Sequence, residues 1–274
     1  MIRLIKTLLF TALMLLTLGA QAVVTCTATV VDAAPIFVAA TANTSSGTIN
    51  LSCTRTAAEA STTYKIKLSA NAPVLTLQGG TATLTANKIC SASPCTTVWA
   101  TAGLIGTLTF TANTSSTAIP YYLLIPASNA NPSAGLYSFT VPVTVTTYYP
   151  RTSTTIFASA TLNPVVTVDS LCTISTPPPA LNLSYTSFSI TAVTGTSTFK
   201  IKCTKGTPYT IALDATSGTA SGLNYTLALS AASATGTGSA ISNTVTGTIA
   251  ANQVGTCALG ICTTSTSRTL TITY

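Results

Sequence analysis

Thr63-Tyr64-Lys65-Ile66-Lys67-Leu68-Ser69-Ala70 decides the fold class. Apolar and polar side chains alternate strictly from Tyr64 to Leu68. In an extended strand successive side chains point to opposite faces, so Tyr64, Ile66 and Leu68 share one face and Lys65 and Lys67 the other. Wound into a helix, the same residues would spread around the cylinder. The period recurs on both sides, in Thr48-Ile49-Asn50-Leu51-Ser52-Cys53 and in Thr140-Val141-Pro142-Val143-Thr144-Val145. Leu75-Thr76-Leu77-Gln78-Gly79-Gly80-Thr81-Ala82-Thr83-Leu84 reads as a hairpin turning at its two glycines. Beyond residues 1–22 nothing carries a helical period, so the chain is expected to be all-β.

The opening stretch has a twin, Pro208-Tyr209-Thr210-Ile211-Ala212-Leu213-Asp214-Ala215. Cys26-Thr27 and Cys53-Thr54 precede the first copy, and Cys172-Thr173 and Cys203-Thr204 precede the second. Ile125-Pro126-Ala127-Ser128-Asn129 likewise parallels Ile249-Ala250-Ala251-Asn252-Gln253. Two copies of one strand pattern predict two Ig-like β-sandwiches in tandem, residues 23–168 and 169–274. The eight cysteines fall into two pairs with similar long spacings, Cys26 with Cys53 and Cys172 with Cys203, and two pairs five apart, Cys90 with Cys95 and Cys257 with Cys262. Four local disulfides are expected, two per copy. Zinc is the competing use of such cysteines, but the spacing is not that of a metal knuckle and the chain has no histidine.

The copies end differently. In the first, the strand 136–148 is followed by another alternating segment, in which Ile156, Phe157, Ala158, Ala160 and Leu162 can close the sandwich in cis. In the second, the matching strand carries Leu270, Ile272 and Tyr274, and the sequence stops there. The second sandwich is therefore expected to lack its last strand. Its acceptor edge would expose unpaired backbone groups and an apolar groove, which is costly unless another chain fills it. Residues 1–22 read as a secretory signal peptide: Arg3 and Lys6 supply positive charge, residues 8–18 an apolar run, and Ala20-Gln21-Ala22 a cleavage site. Only Val23, Val24 and Thr25 then precede Cys26, too few to form a donor strand. Such a chain is expected to accept a strand and not to give one, which places it at the end of a polymer.

Composition excludes much chemistry. Without histidine there is no Ser-His-Asp or Cys-His nucleophile. Asp32, Glu59, Asp169 and Asp214 are the only carboxylates, and they are too scattered for a glycosidase pair. Asp214 reads as a turn residue at a strand end. Thr235-Gly236-Thr237-Gly238 opens no helix and so makes no phosphate loop. Setting Arg3 and Lys6 aside leaves nine basic side chains against four acidic ones. The basic ones are scattered or alternate along strands as solvated faces do, so nucleic-acid binding is not expected. No cofactor is expected and the chain is not expected to be an enzyme. Trp99, the sole tryptophan, is expected in the buried sheet. Tyr148-Tyr149-Pro150-Arg151 turns the chain between the last two strands of the first copy. Tyr148 and Tyr149 form a candidate surface-binding loop, sharing one end with loops near 56–61 and 113–119; strand-end packing is the equal alternative.

Several motifs resemble the spore coat protein U domain of archaic chaperone–usher pilins, in two copies. The second copy carries Cys203-Thr204-Lys205-Gly206-Thr207-Pro208-Tyr209-Thr210-Ile211-Ala212-Leu213-Asp214, Gly222-Leu223-Asn224-Tyr225-Thr226-Leu227 and Leu270-Thr271-Ile272-Thr273-Tyr274. The first carries residues 47–54, Thr96-Thr97-Val98-Trp99 and Asn131-Pro132-Ser133-Ala134-Gly135-Leu136-Tyr137-Ser138. Two such domains in one chain are similar to the tip adhesins of Csu-type pili, which build biofilms on abiotic surfaces. The resemblance implies an N-terminal adhesive domain completed by its own strand and a C-terminal pilin domain. The latter would be carried by a periplasmic chaperone, passed through an outer-membrane usher and filled by an adjacent pilin's strand. The chain would travel through the periplasm to the cell surface, at the pilus tip. A shaft or coat subunit and a stand-alone secreted binding protein are the rival readings.

Overall fold

The computed structural model describes residues 24–38, 41–55, 63–69, 75–85, 87–99, 104–129, 131–149, 156–256 and 264–274. The expected leader, Glu59, residues 150–155, Cys257 and Cys262 lie outside them. Every named element is a strand, and every pairing between named strands is antiparallel.

The first Ig-like sandwich sets one sheet, in the order Val24–Val31, Asn43–Arg55, Thr114–Ile125, Lys88–Cys90, against a second. The second runs Ile156–Leu162, Val141–Tyr149, Thr63–Ser69, Leu104–Thr109. A smaller sheet adds Val165–Val168, Gly135–Ser138, Leu75–Leu77 and Thr83–Leu84, the last two forming the hairpin with Gly79 at φ 73°. Alternation does what period two requires: Ile49, Leu51 and Cys53 of one sheet and Tyr64, Ile66, Leu68, Val143 and Val145 of the other all point into one core. The second sandwich pairs Cys172–Thr176, Val193–Cys203, Ala240–Ile249, Leu223–Leu229 and Ser217–Ala220 in one sheet. Its other sheet has Ser233–Thr235, Pro208–Leu213 and Leu270–Thr273.

Cys26 sits directly opposite Cys53, and Cys172 opposite Cys203, and both pairs are disulfide-bonded, as are Cys90 and Cys95. Three of the four expected bridges are therefore formed among the described residues. The fourth, expected between Cys257 and Cys262, is not among them, because Cys257 and Cys262 both fall outside the described residues. Peptide mapping of the unreduced protein is expected to join Cys257 to Cys262, and a bridge from Cys262 to any other cysteine would overturn the local pairing.

Three details differ from the sequence reading. The strand expected over 136–148 is two strands, because Phe139 and Thr140 interrupt it opposite Asn163 and Pro164 of its partner. Proline cannot donate to a ladder, and the Asn163 N–H bonds instead to Asp32 Oδ1 at 2.8 Å. The supposed loop at 113–119 is strand from Thr114 onward, paired with Asn43–Arg55 as far as Thr54. Trp99 is buried as expected (1 % exposed) but just past the isolated bridge between Cys90 and Val98, not within a named strand. Its indole N–H donates to the Leu68 carbonyl and its ring leans on Tyr121.

Tyr121 ties three elements of the first sandwich together. Its hydroxyl accepts the Ala33 N–H at 3.0 Å and donates to Asp32 Oδ1 at 3.2 Å, the same oxygen that receives Asn163. Asp32 is thus a structural carboxylate that fastens the end of the first strand to the closing strand. Burial holds the Tyr121 phenol well above its ordinary range and Asp32 adds to the effect, while the Ala33 N–H opposes it. Gly47 makes room, since a Cβ there would collide with the Tyr121 ring. Tyr121→Phe keeps the ring but orphans the Ala33 N–H, so the first sandwich should lose about 1–3 kcal/mol, read as a lower first thermal transition.

Candidate functional site

The site is defined by what the two sandwiches do with equivalent edges. Leu213 pairs with Leu270 in the second as Leu68 pairs with Val145 in the first. Leu270–Thr273 is therefore the counterpart of Val141–Tyr149. In the first sandwich that strand has a neighbour on each side, Thr63–Ser69 and the closing strand Ile156–Leu162. The closing strand also runs beside Val24–Val31. It buries Ala158 and Leu162 and packs Ala160 against the core; Ile156 pairs with Thr146, and Phe157 is the extra residue at the register shift between them. Past Pro164 it continues as Val165–Val168, burying Val166 and Val168. The closing segment expected from the sequence ends at Leu162; the structure extends it across Pro164 through Val165–Val168.

In the second sandwich, Leu270–Thr273 pairs only with Pro208–Leu213 among the described residues. Leu270 is half-buried where its counterpart Val145 is fully buried, Ile272 is half-buried too, and Tyr274 is 57 % exposed. Ile174, on the first strand of this sandwich, is 43 % exposed, whereas Ala28 and Val30 of Val24–Val31 pack on the first core. The buried apolar core has 27 residues in the first sandwich and six in the second among the described residues. Part of that difference comes from the additional sheet of the first sandwich, and an uncovered strand edge in the second adds to it. A hollow of about 480 Å³ opens at one end of this three-stranded sheet, lined by residues of Pro208–Leu213 and Ser233–Thr235 together with Thr273 and Tyr274. Tyr209 is 2 % exposed, yet its hydroxyl has no hydrogen-bond partner. An unsatisfied buried hydroxyl of this kind costs about 1–3 kcal/mol until a partner reaches it.

The edge is held in place from its N-terminal side. The Arg268 guanidinium donates to the Tyr225 hydroxyl at 2.6 Å and to the Ser217 carbonyl at 3.2 Å, and lies over the Tyr225 ring. Asp214 caps a turn at this end by accepting its neighbour Ala215 N–H at 2.8 Å. Neither residue is placed to do chemistry on a substrate, and no group of three or more His, Cys, Asp or Glu could hold a metal among the described residues.

The other expected site, Tyr148 and Tyr149, ends the strand Val141–Tyr149, with Tyr149 opposite Lys65. Arg55 lies at that end, its guanidinium over Phe110, which meets Tyr64 edge-on. The closing strand ends at the opposite pole, where Val168 pairs with Gly135. There the segment 131–134 meets the second sandwich: Ala134 N–H donates to the Lys205 carbonyl at 2.7 Å and Asn131 Nδ2 to the Thr237 carbonyl at 3.1 Å. The tyrosine pair therefore lies at the pole of the first sandwich remote from the second.

Two Ig-like sandwiches make up the chain, one closed by its own strand and one with an edge that is unpaired among the described residues. The chain belongs to the Spore Coat Protein U domain family, whose sequence model matches residues 11–144 and 158–273. It is a structural protein and not an enzyme. No curated protein matches it. Among solved structures it is similar to a chain of the CsuC–CsuE chaperone–tip adhesion subunit pre-assembly complex from archaic chaperone-usher Csu pili of Acinetobacter baumannii. That likeness has 15 % identity over 90 % of this chain and 100 % of that one, with a TM-score of 0.40. The CupB6 tip adhesin from Pseudomonas aeruginosa shares 10 % identity over 90 % and 94 % (TM-score 0.35). The CooA pilin subunit from enterotoxigenic Escherichia coli shares 13 % over 52 % and 98 % (TM-score 0.34).

Proposed function

We propose that the chain is the tip adhesin subunit of a chaperone–usher pilus, attaching cells to surfaces and supporting biofilm formation. The observation that carries this reading is the asymmetry of the two edges: Ile156–Leu162 closes the first sandwich from within, while Leu270–Thr273 in the second has a neighbour on one side alone among the described residues. A domain closed in cis needs no partner to fold, so it can be committed to binding. An open one needs a strand from elsewhere, and strand addition to an exposed edge is how pilin subunits are joined. Membership of the spore coat protein U family supports the assembly role. On this reading a periplasmic chaperone covers the open edge during export, an outer-membrane usher exchanges it for the adjacent pilin's strand, and the first sandwich faces outward. The remote position of the Tyr148–Tyr149 pole supports its use as the contact surface.

Co-expression with the periplasmic chaperone of the same bacterium tests the assembly step. A stable one-to-one complex is expected, lost when Ile272→Lys puts a charge on the inward face of the open edge. A chain that leaves the periplasm as a free, stable monomer with no chaperone bound would sink the reading.

The binding surface has its own test. Replacing Tyr148 and Tyr149 with Asp removes two rings, each of which contributes roughly 1.5–3 kcal/mol when buried against a surface. Attachment should fall at least tenfold in a microtitre biofilm assay, with pilus number unchanged by electron microscopy. Unaltered attachment by normally piliated cells would rule these residues out.

A further inference from the structure

We propose that the pole of the second sandwich bearing Phe188, Ile190 and Val254 is a docking surface for the folded body of the subunit whose strand fills the open edge. This rests on the strand-acceptor reading above. Its occupant is another domain of this fold, presenting the turn between its second and third strands.

The three side chains are 69 %, 85 % and 52 % exposed. Single exposed apolar residues are ordinary, but a group of large ones on one pole marks an interaction surface. They stand on two segments bonded to each other: Phe188 N–H donates to the Gln253 carbonyl at 2.8 Å, Asn252 N–H to the Ser189 carbonyl at 2.7 Å, and Ser187 Oγ to the Val254 carbonyl at 2.6 Å. Gln253 locks the framework, its N–H on the Tyr185 hydroxyl and its amide bonded both ways to the Asn224 backbone at 2.7 and 2.9 Å. Phe188 and Asn252 adopt left-handed φ values of 62° and 61°. That conformation is unfavourable for a phenylalanine and persists only where surrounding bonds impose it. A strained, firmly braced loop that holds a phenylalanine out in water is built to present it.

The first sandwich supplies the template for what docks there. Its segment 131–134 follows the strand Thr114–Ile125, just as 250–256 follows Ala240–Ile249. Segment 131–134 bears on the turn after Val193–Cys203, through the Ala134–Lys205 and Asn131–Thr237 bonds. The fit is close: Gly238, at φ 81°, has no room for a Cβ against the Asn131 side chain. The closing strand of the first sandwich ends at this same pole, at Val168, and the chain passes directly into the next domain.

A donated strand running in the same sense, antiparallel to Leu270–Thr273, would enter beside Tyr274 and finish beside Leu270. Leu270 pairs with Leu213, at the end of the sandwich away from the Lys205 turn, the end where Val193 pairs with Ile249. The donor's own domain must therefore begin next to Phe188, Ile190 and Val254. No residue in 185–192 or 250–256 is charged, which suits a contact made of apolar side chains and main-chain groups, as at the first junction.

The test uses the full-length chain and two probes: a single-domain pilin of the same fibre, and a synthetic peptide of that pilin's N-terminal strand. The Phe188→Ser, Ile190→Ser double variant and the Val254→Asp variant are compared with the unaltered chain, each checked for an unchanged melt. Peptide release should stay within twofold, while release of the whole pilin accelerates at least tenfold. Whole-pilin release as slow from both variants as from the unaltered chain overturns the proposal. Peptide and pilin lost equally fast also overturns it, because the residues would then act on the groove. If the peptide fails to bind the unaltered chain, the strand-acceptor reading itself falls, and this proposal with it.

Discussion

Joining a pilin's donor strand to Tyr274 through a flexible linker is expected to turn residues 172–274 from a species without a sharp melt into a cooperative, monomeric domain. Among the described residues Leu270–Thr273 has one paired neighbour where its counterpart Val141–Tyr149 has two, and Leu270, Ile272, Ile174 and Tyr274 are incompletely covered. Four apolar side chains brought from the donor contribute roughly 6–12 kcal/mol gross at about 1.5–3 kcal/mol each. Ordering the strand takes back much of that. A net gain of only about 3 kcal/mol moves the melt of a domain this size by about 12–24 °C. Residues 23–168, closed by Ile156–Leu162 and Val165–Val168, should melt sharply without any addition. Thermal melts of the three polypeptides decide the matter. A sharp, monomeric transition for residues 172–274 alone would show the domain complete and remove the main support for the tip reading.

The two long disulfides should differ sharply in how much the protein depends on them. Cys26–Cys53 and Cys172–Cys203 join directly opposed strand residues at similar sequence separations, 27 and 31. Chain entropy therefore assigns both about the same contribution, roughly 3.5 kcal/mol. The bodies they brace are unequal, with 27 residues in the contiguous core of the first against six in that of the second among the described residues. Replacing Cys26 and Cys53 by Ala should lower the first transition yet leave a folded sandwich. Replacing Cys172 and Cys203 by Ala should lower the donor-bound second transition by more than the first replacement lowers the first. Calorimetry of the two double variants, with and without the donor peptide, reads both effects. Equal losses for the two pairs would mean that the second sandwich is not the weaker body.

The sequence by itself determined everything that is local or repeated. Period two in residues 64–68 and 209–213 identified strands because alternation is a property of the extended backbone. The cysteine spacings marked the long pairs because two antiparallel strands that face each other impose a fixed loop between the partners. The repeat exposed the unequal endings, Ile156 to Leu162 against Leu270 to Tyr274. What only the tertiary structure decided is non-local. Val165–Val168 joins the closing strand across Pro164, because Asp32, held by the Tyr121 hydroxyl and distant in sequence, takes the Asn163 N–H and fixes the crossing. Thr114 to Ile119 is strand and not loop, because Asn43–Arg55 is long enough to pair with all of it. Trp99 is buried outside any named strand because the Leu68 carbonyl reaches its indole N–H. The meeting of Asn131 and Ala134 with Thr237 and Lys205, and the bracing that turns Phe188 outward, depend on groups that share no periodicity. Alternation records which face of a strand a residue occupies; which pole of one sandwich meets which pole of another is set only when both are folded, by bonds between backbone groups that every residue carries alike.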